Sequence, residues 1–272
     1  MDEDRRSIER LRYHYEVERE LADKLRHSTR EQRAALYKTL YDELFRRVPD
    51  HPRLTRRETP ESVARAVEAR LAILKPLLNG DETFLEFAPG DCRLAIAVAR
   101  YVKQVYAVDI SDQSGELKEA PLNFKLIVYD GYNLELPKES IDIAFSYQFL
   151  EHLHPDDVEP HLELVCALLK EGGFYLLSTP HAYSGPHDIS AYFSDTPQGF
   201  HLKEWTYREL LRAARNVGFR GMFIYRFGKP LRCVFLNWLN LLVESVVGGL
   251  PVRIRKRISR RLFNSVTVLL RK

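Results

Sequence analysis

Apolar runs alternate with helical patterns along the middle of the chain. The first run that is long and apolar enough for a buried strand begins at Phe84, and five more follow it along the chain. The predicted strands cover 84–87, 105–109, 124–129, 141–147, 171–180 and 219–227. Strands that alternate with helices predict a doubly wound parallel sheet with helices on both faces, so the fold class is α/β.

Both ends of the chain have helical patterns instead. Residues 4–47 are rich in charge, with leucines at helical spacing, and Ser28-Thr-Arg-Glu31 predicts a capping box at the start of a second helix. Thr59-Pro60 predicts the start of another helix that runs to Leu78. Near the other end, the apolar stretch 231–248 is followed by a basic segment, and 265–270 is predicted as a last strand.

The composition limits the class of protein. A chain of 272 residues with 45% hydrophobic residues can bury one substantial core, so one main domain with helical additions is expected. The net charge of +3 does not favour nucleic-acid binding. Cys92, Cys166 and Cys233 form no C-x-x-C pair, which argues against disulfides and structural zinc. The chain starts without a secretory signal pattern, so a cytoplasmic location is predicted.

The stretch from Phe84 to Cys92 predicts a ligand site. It has the pattern of a buried strand and a tight turn that opens a helix, and the next strand ends in the carboxylate of Asp109. Such a unit places an adenosine-containing ligand at the carboxyl edge of a parallel sheet, where an acid can accept hydrogen bonds from both ribose hydroxyls.

The glycine pattern of the turn separates two classes of ligand. A dinucleotide requires G-x-G-x-x-G, but the corresponding residues are Ala88, Gly90 and Arg93, so a pyrophosphate is disfavoured. S-adenosylmethionine has no phosphate. One central glycine, with Glu86 beneath the positively charged end of the ligand, can suffice for it. If the backbone at Ala88 has a positive φ, its side chain costs on the order of 1–2 kcal/mol.

These residues resemble the first motif of class I S-adenosylmethionine-dependent methyltransferases. The motif E-(apolar)-G-x-G-x-G matches Glu86-Phe87-Ala88-Pro89-Gly90-Asp91-Cys92, with two glycines replaced. The resemblance extends over 82–228 and implies a Rossmann-like fold whose last strand pairs antiparallel with the sixth. It implies bound S-adenosylmethionine, contacted by Glu86, Ala88, Gly90, Asp109, Asp130, Gly131 and Tyr147. For Asp130-Gly131, an ordinary turn is the alternative.

The resemblance also suggests four segments along the chain. An N-terminal helical extension would cover 1–58, and the methyltransferase core would cover 59–228. A helical insertion at 229–263 would separate the core from its last strand at 264–272.

Histidines cluster where an acceptor would bind. Transfer to a hydroxyl needs a positioned acceptor and a base for its proton, and histidine suits that task near neutral pH. The unusually long connection 180–205 contains His187 and His201, which we predict as acid–base and substrate-binding residues. His152 after the fourth strand is the third catalytic candidate. Alternatively, these histidines only brace the loop, with Glu204-Trp205 as its anchor.

A metal site is the remaining chemical alternative. Gln148, Glu151, His152 and His154 resemble the E-x-x-E-H-H arrangement of small-RNA methyltransferases. Glutamine replaces the first carboxylate, however, and a hard ligand is therefore missing. We predict no metal.

The predicted reaction is methyl transfer from S-adenosylmethionine to a small-molecule, glycan or lipid-linked acceptor, at a hydroxyl of a sugar or natural product. A protein or RNA methyltransferase that docks through the basic C-terminal segment is one alternative. A non-catalytic, cofactor-binding partner subunit is the other, suggested by Ala88 and Cys92.

The C-terminal stretch 231–261 has two interpretations. Arg232 and Glu244 make its apolar part too polar and too short to span a membrane. With its basic flank it could hold the protein on an anionic membrane as a peripheral helix. It could instead pack against the N-terminal helices or a second copy in a homodimer, which is the favoured interpretation because an insertion inside a hairpin stays close to the domain.

Overall fold

The computed structural model describes residues 4–55, 59–112, 120–226 and 228–272. In these ranges the strands are β1 Thr83–Phe87, β2 Gln104–Asp109, β3 Phe124–Val128, β4 Ile141–Tyr147, β5 Leu169–Pro180, β6 Gly221–Arg226, β7 Lys229–Pro230 and β8 Ser265–Arg271. They form one sheet in the order β3-β2-β1-β4-β5-β8-β6-β7. Strands β1 to β5 are parallel, and β8 runs antiparallel between β5 and β6. The predicted Rossmann-like class, with an antiparallel terminal strand, is confirmed.

The helices of the described residues are α1 Ile8–Arg26, α2 Arg30–Arg47, α3 Pro52–Thr55, α4 Pro60–Leu74, α5 Arg93–Val98, α6 Pro155–Leu168, α7 Tyr207–Asn216, α8 Val234–Gly248 and α9 Val252–Leu262. None of them combines the length and apolar character needed to cross a membrane. The predicted helix after Thr59 ends as a short 3-10 turn, Lys75–Leu77, and the two-residue β7 was not predicted.

Alternating side chains along the strands build two cores, one on each face of the sheet. Phe84 and Phe145 pack with α4 and α5 on one face. Leu85 and Ala144 pack with α6 and α7 on the other. Neighbouring residues of a strand point to opposite faces, so a strand covered on both sides must be apolar at nearly every position. The continuous apolar runs in the sequence have this cause.

The start of α2 differs from the prediction. The capping box is Thr29 with Gln32: the Thr29 hydroxyl accepts from the Gln32 amide, and the Gln32 side chain accepts from the Thr29 amide. Ser28 instead donates its hydroxyl to the carbonyl of Leu25 at the end of α1. The prediction of Ser28 and Glu31 was therefore wrong by one residue, because both neighbouring hydroxyl residues suit a cap.

The N-terminal helices pack against the loop that follows β5. Phe200 and Leu202 of that loop lie in one apolar cluster with residues of α1 and α2. Arg33 on α2 makes a buried two-pronged ion pair with Asp157 on α6, with both N–O distances at 2.7 Å. The helical hairpin is thus fixed to the parallel-sheet domain on the side where the histidines lie.

Candidate functional site

The candidate site lies at the carboxyl edge of the sheet, between β1 and β4. These two strands are neighbours, and the chain proceeds from them toward opposite ends of the sheet. Such a switch point leaves a crevice outside the strand ends, where ligands of doubly wound folds bind. The turn 88–92 follows β1, and the short helical turn Leu150–His152 follows β4.

Backbone geometry explains the glycine pattern of the turn. Ala88, Gly90 and Cys92 have φ angles of 52°, 56° and 59°, so all three positions of the motif are left-handed. An added Cβ on Gly90 would meet no atom within 4 Å, which leaves its backbone open to a ligand. The alanine and the cysteine therefore occupy a conformation that favours glycine, while the turn keeps its shape.

Glu86 is a buried acid directly below this turn. Its side chain is 5% exposed, and Oε2 has no hydrogen-bond partner in the described part of the chain. Burial raises the pKa of Glu86 to about 8, against an opposing effect of nearby Arg70. A buried carboxyl with a free oxygen is the group that a positively charged ligand would ionise and pair with.

Asp109 ends β2 beside the same turn. Its Oδ1 accepts hydrogen bonds from the amides of Ile110, at 2.7 Å, and Ser111, at 3.3 Å. Burial nevertheless raises its pKa. A carboxylate has about four acceptor positions, so the two amides fix the orientation of the group and leave capacity for hydroxyl donors.

The other predicted cofactor residues are placed differently. Asp130 accepts from the amides of Tyr132 and Asn133 and from the Asn133 side chain, so its carboxylate stabilises the turn that includes Gly131. In this structure Asp130 therefore acts as the acid of an ordinary turn, which was the alternative to cofactor binding in the sequence analysis. Tyr147 ends β4, and the guanidinium of Arg70 lies 4.5 Å from the centre of its ring.

Glu204 connects two of the predicted catalytic histidines. Its Oε1 lies 3.0 Å from Nδ1 of His201 and accepts from the His187 amide at 2.7 Å. The ring of His187 contacts the Ser184 hydroxyl through Nε2, at 3.2 Å, while Nδ1 lies 3.2 Å from Oε2 of Glu204, at ion-pair distance but without hydrogen-bond geometry. The two histidines hold the pKa of Glu204 at about 2, and the carboxylate raises the pKa of His201.

The third histidine lies beside His201. The rings of His152 and His201 meet edge to face with centroids 5.1 Å apart. Nδ1 of His152 is 3.0 Å from the Phe200 carbonyl and therefore carries the proton. In both rings Nδ1 is engaged, and among the described residues no partner binds Nε2. Burial lowers the pKa of His152 to about 3, which keeps it neutral.

One acid of this cluster was not among the predicted site residues. Glu151 is fully buried; Oε2 accepts from the Thr179 hydroxyl at 2.9 Å, and Oε1 has no partner in the described ranges. Burial raises its pKa to about 7. In the sequence, Glu151 was singled out only for the metal alternative, beside His152 in the arrangement similar to E-x-x-E-H-H.

The four residues of the metal alternative do not converge. Candidate ligand atoms of Glu151, His152 and His201 lie within 4.8 Å of one another. His154 lies apart, because its ring caps α6 and contacts the carbonyl of Arg26. The motif-like spacing of Glu151, His152 and His154 is thus not a shared site.

A groove of about 590 Å³ lies elsewhere, between α4 and α5. Arg93 and Arg100 line it with residues of α4. It is open to one side of the helical layer and does not include the buried acids or the histidines. We place the site at the sheet edge because the motif, Glu86, Asp109 and the histidine cluster all lie there.

Residues 85–177 match a family model described as a methyltransferase domain. The chain contains a methyltransferase domain. Solved structures agree in fold. A S-adenosylmethionine-dependent methyltransferase from Archaeoglobus fulgidus matches with a TM-score of 0.53 and 19% identity, over 87% of this chain and 100% of that chain. A S-adenosylmethionine-dependent methyltransferase from Mesorhizobium loti matches with a TM-score of 0.51 and 16% identity, over 76% of this chain and 98% of that chain.

A third structure shows the same fold with ligands. Phosphoethanolamine N-methyltransferase 2 from Haemonchus contortus, in complex with phosphomonomethylethanolamine and S-adenosylhomocysteine, matches with a TM-score of 0.51 and 16% identity, over 75% of this chain and 51% of that chain. At such identities the likeness shows the fold alone. No significant match links the sequence to a curated protein.

The predicted cofactor, S-adenosylmethionine, is the cofactor of this methyltransferase class, and the residues present fit it. The turn exposes the backbone at Gly90, the free oxygen of Glu86 offers a partner for positive charge, and Asp109 offers acceptors for hydroxyls. The chain's departures from the glycine motif leave this geometry intact.

Proposed function

We propose that this methyltransferase domain transfers the methyl group of S-adenosylmethionine to a hydroxyl of a sugar or natural product. The observation that carries the proposal is the His201–Glu204 pair, which holds an imidazole at the acceptor side with Nε2 free. A hydroxyl is a weak nucleophile until a base removes its proton, so a correctly oriented base is the feature that a hydroxyl acceptor requires.

The cofactor residues in this proposal are those of the turn. Asp109 would hold the ribose hydroxyls, Glu86 would face the positively charged end, and the backbone at Ala88 and Gly90 would allow close approach. Asp130, Gly131 and Tyr147 would border the adenine side. When bound, S-adenosylmethionine supplies a methyl group already activated by its sulfonium, so the protein's main task is to position the acceptor.

His201 is the proposed general base. Glu204 accepts the Nδ1 proton, which fixes the tautomer and leaves the Nε2 lone pair to take the acceptor's proton. The carboxylate then stabilises the imidazolium. His152 is a neutral neighbour that can accept a hydrogen bond at Nε2. Nε2 of His187 is occupied by the Ser184 hydroxyl and its amide donates to Glu204, so we assign it to positioning Glu204.

Glycine at position 185 supports this assignment. A side chain there would collide with the carboxylate of Glu204 and approach the ring of His187. The absence of a side chain at Gly185 therefore lets the carboxylate of Glu204 pack directly against the backbone of the loop. Glu204 is 2% exposed, and its burial strengthens its interaction with both histidines.

A methylation assay with matched acceptors tests the proposal. Sugars and phenols are paired with analogues in which an amine replaces the hydroxyl, and labelled methyl groups are followed from S-adenosylmethionine into product. We expect transfer to hydroxyl acceptors only. Transfer to amines or to protein would overturn the hydroxyl assignment. Cofactor binding without transfer to any acceptor would favour the non-catalytic partner subunit.

A further inference from the structure

Helix α8 exposes a broad apolar face. Phe235 is 62% exposed and Trp238 is 56% exposed, although large apolar side chains usually avoid water. The exposed apolar residues of α8 are Val234, Phe235, Leu236, Trp238, Leu239, Leu242 and Val246. Contiguous apolar patches of this kind on soluble domains mark interaction sites.

The opposite side of α8 already has a packing role. Glu244 is buried and accepts from the amides of Tyr207 and Arg208 at the start of α7, and it pairs with His181 at 2.8 Å. Val247 belongs to the main core. These contacts fix the helix on the domain and turn its apolar face outward. Packing against the N-terminal helices, one of the two partners named in the packing interpretation, is therefore wrong for these exposed side chains.

Charge is segregated into the same part of the chain. Between Lys229 and Lys272 the sequence has ten lysines and arginines and a single acid, Glu244. The rest of the chain holds 31 basic and 37 acidic residues, a net charge of −6. Helix α9 follows α8 directly and packs against it. In the described ranges, no carboxylate lies within ion-pair distance of its exposed residues Arg253, Arg257, Arg260 and Arg261.

We propose that α8 and α9 together dock this methyltransferase domain on an anionic lipid membrane. Tryptophan and phenylalanine side chains insert favourably at the boundary between headgroups and acyl chains. Basic residues near an anionic leaflet add about 1 kcal/mol each, or roughly fivefold in affinity. An exposed apolar face next to unpaired basic residues has both parts of such a surface.

The charges favour a membrane over a second copy of the chain. A symmetric dimer through α8 places the same patch of each copy against the other. It would therefore bring two basic α9 helices near each other with no acidic residue of this segment to pair with them. A membrane rich in acidic headgroups supplies the missing negative charge.

The docking proposal goes beyond the proposed function and is tested without turnover. The chain has two tryptophans, and Trp205 is buried, so Trp238 reports on the surface of α8. Vesicles of phosphatidylcholine alone, or mixed with phosphatidylserine, are added at low salt, and tryptophan emission and flotation are both measured. We expect a blue shift and flotation with the mixed vesicles only, and loss of both at high salt. Trp238→Phe should abolish the shift and keep flotation.

Two surface variants with a matched control complete the test. Phe235→Ser should weaken vesicle binding at least about tenfold by removing apolar area. Arg257→Gln/Arg261→Gln should weaken it about 25-fold. Arg65→Gln/Lys103→Gln removes the same charge from exposed positions elsewhere and should bind as the wild type does. Absence of wild-type flotation at low salt would overturn the proposal. So would a dimer that Phe235→Ser converts to monomers, which would assign the patch to a second copy.

Discussion

The turn at 88–92 and the loop at 181–205 border the same edge of the sheet, but different forces hold them. In the turn, three left-handed backbone positions set the shape, and side chains contribute little. In the loop, a few buried acids set the shape: Glu204 holds His187 and His201, and Glu18 on α1 accepts from the Phe200 amide. We therefore expect the turn to control cofactor affinity, and the loop to control turnover.

The largest effect is expected at His201. His201→Ala removes the proposed base and should lower kcat by about 10²–10⁴-fold, while the Kd for S-adenosylmethionine stays within about twofold. His187→Ala should reduce kcat less, because that residue positions Glu204. Steady-state kinetics on both variants measures kcat, and calorimetry measures the Kd for S-adenosylmethionine. If both variants retain wild-type kcat, the base lies elsewhere, and His152 becomes the leading candidate.

The pH profile adds a readout specific to a base. Glu204 raises the pKa of His201, so in the wild type kcat should rise as the pH increases through that pKa, where the imidazole becomes neutral. Glu204→Gln removes the stabilising carboxylate and should move this rise to lower pH, with a smaller plateau. An unmoved profile would mean that His201 is not the titrating group.

The next effect is on the cofactor side. Asp109→Ala should weaken S-adenosylmethionine binding by about 1.5–3 kcal/mol for each charge-assisted hydrogen bond lost, or roughly 10- to 150-fold. Asp142→Ala is the matched control, because that carboxylate also accepts a backbone amide, from Thr83, but lies near the start of β4, at the opposite edge of the sheet. Calorimetry measures the Kd for S-adenosylmethionine in both variants. Equal losses in the two variants would show that folding of the sheet, not ribose binding, had been disturbed.

A pH-dependent affinity is expected from Glu86. Its pKa is raised to about 8, so the free protein carries a neutral acid at neutral pH, and a positively charged ligand favours the ionised form. Affinity for S-adenosylmethionine should therefore increase with pH by up to about tenfold per unit below pH 8, and level off above it. Glu86→Gln should bind more weakly with a flat profile. A flat wild-type profile would contradict the role of Glu86.

The smallest effect concerns the strained alanine. Ala88→Gly relieves a left-handed alanine, worth about 1–2 kcal/mol, but gives the unfolded chain more freedom, worth about 0.5–1 kcal/mol. We expect the free energy of unfolding to rise by about 0.5 kcal/mol. Ala97→Gly in the regular helix α5 should lower it by about 1 kcal/mol. Denaturant unfolding measures both, and a loss of stability in Ala88→Gly would show that the turn is unstrained.

The contrast between the two regions also decided what the sequence could predict. The turn and Asp109 are contiguous with their strands, so apolar runs and residue spacing were enough to predict the sheet and the cofactor edge. The pairing of Glu204 with His201 is also local. The proximity of His152 to His201, the burial of Glu151 and the packing of α1 against Phe200 join segments far apart in sequence, and no local pattern encodes them.

The exposed face of α8 could not be predicted either, because it depends on contacts with segments far away in the sequence. An apolar helix in a sequence predicts burial, and only the packing of Glu244 and Val247 shows which face is already used. Trp238 and Phe235 lie on the remaining face. A hydrophobic stretch therefore predicts that some surface will be covered, while the structure shows which one.

The most direct test of the central claim is a calorimetric titration of the wild-type chain with S-adenosylmethionine and, in parallel, with NAD⁺. The turn fits an adenosine ligand without a pyrophosphate, so we predict saturable binding of one S-adenosylmethionine per chain and no binding of NAD⁺. Preferential binding of NAD⁺, or no heat with S-adenosylmethionine, would contradict the account.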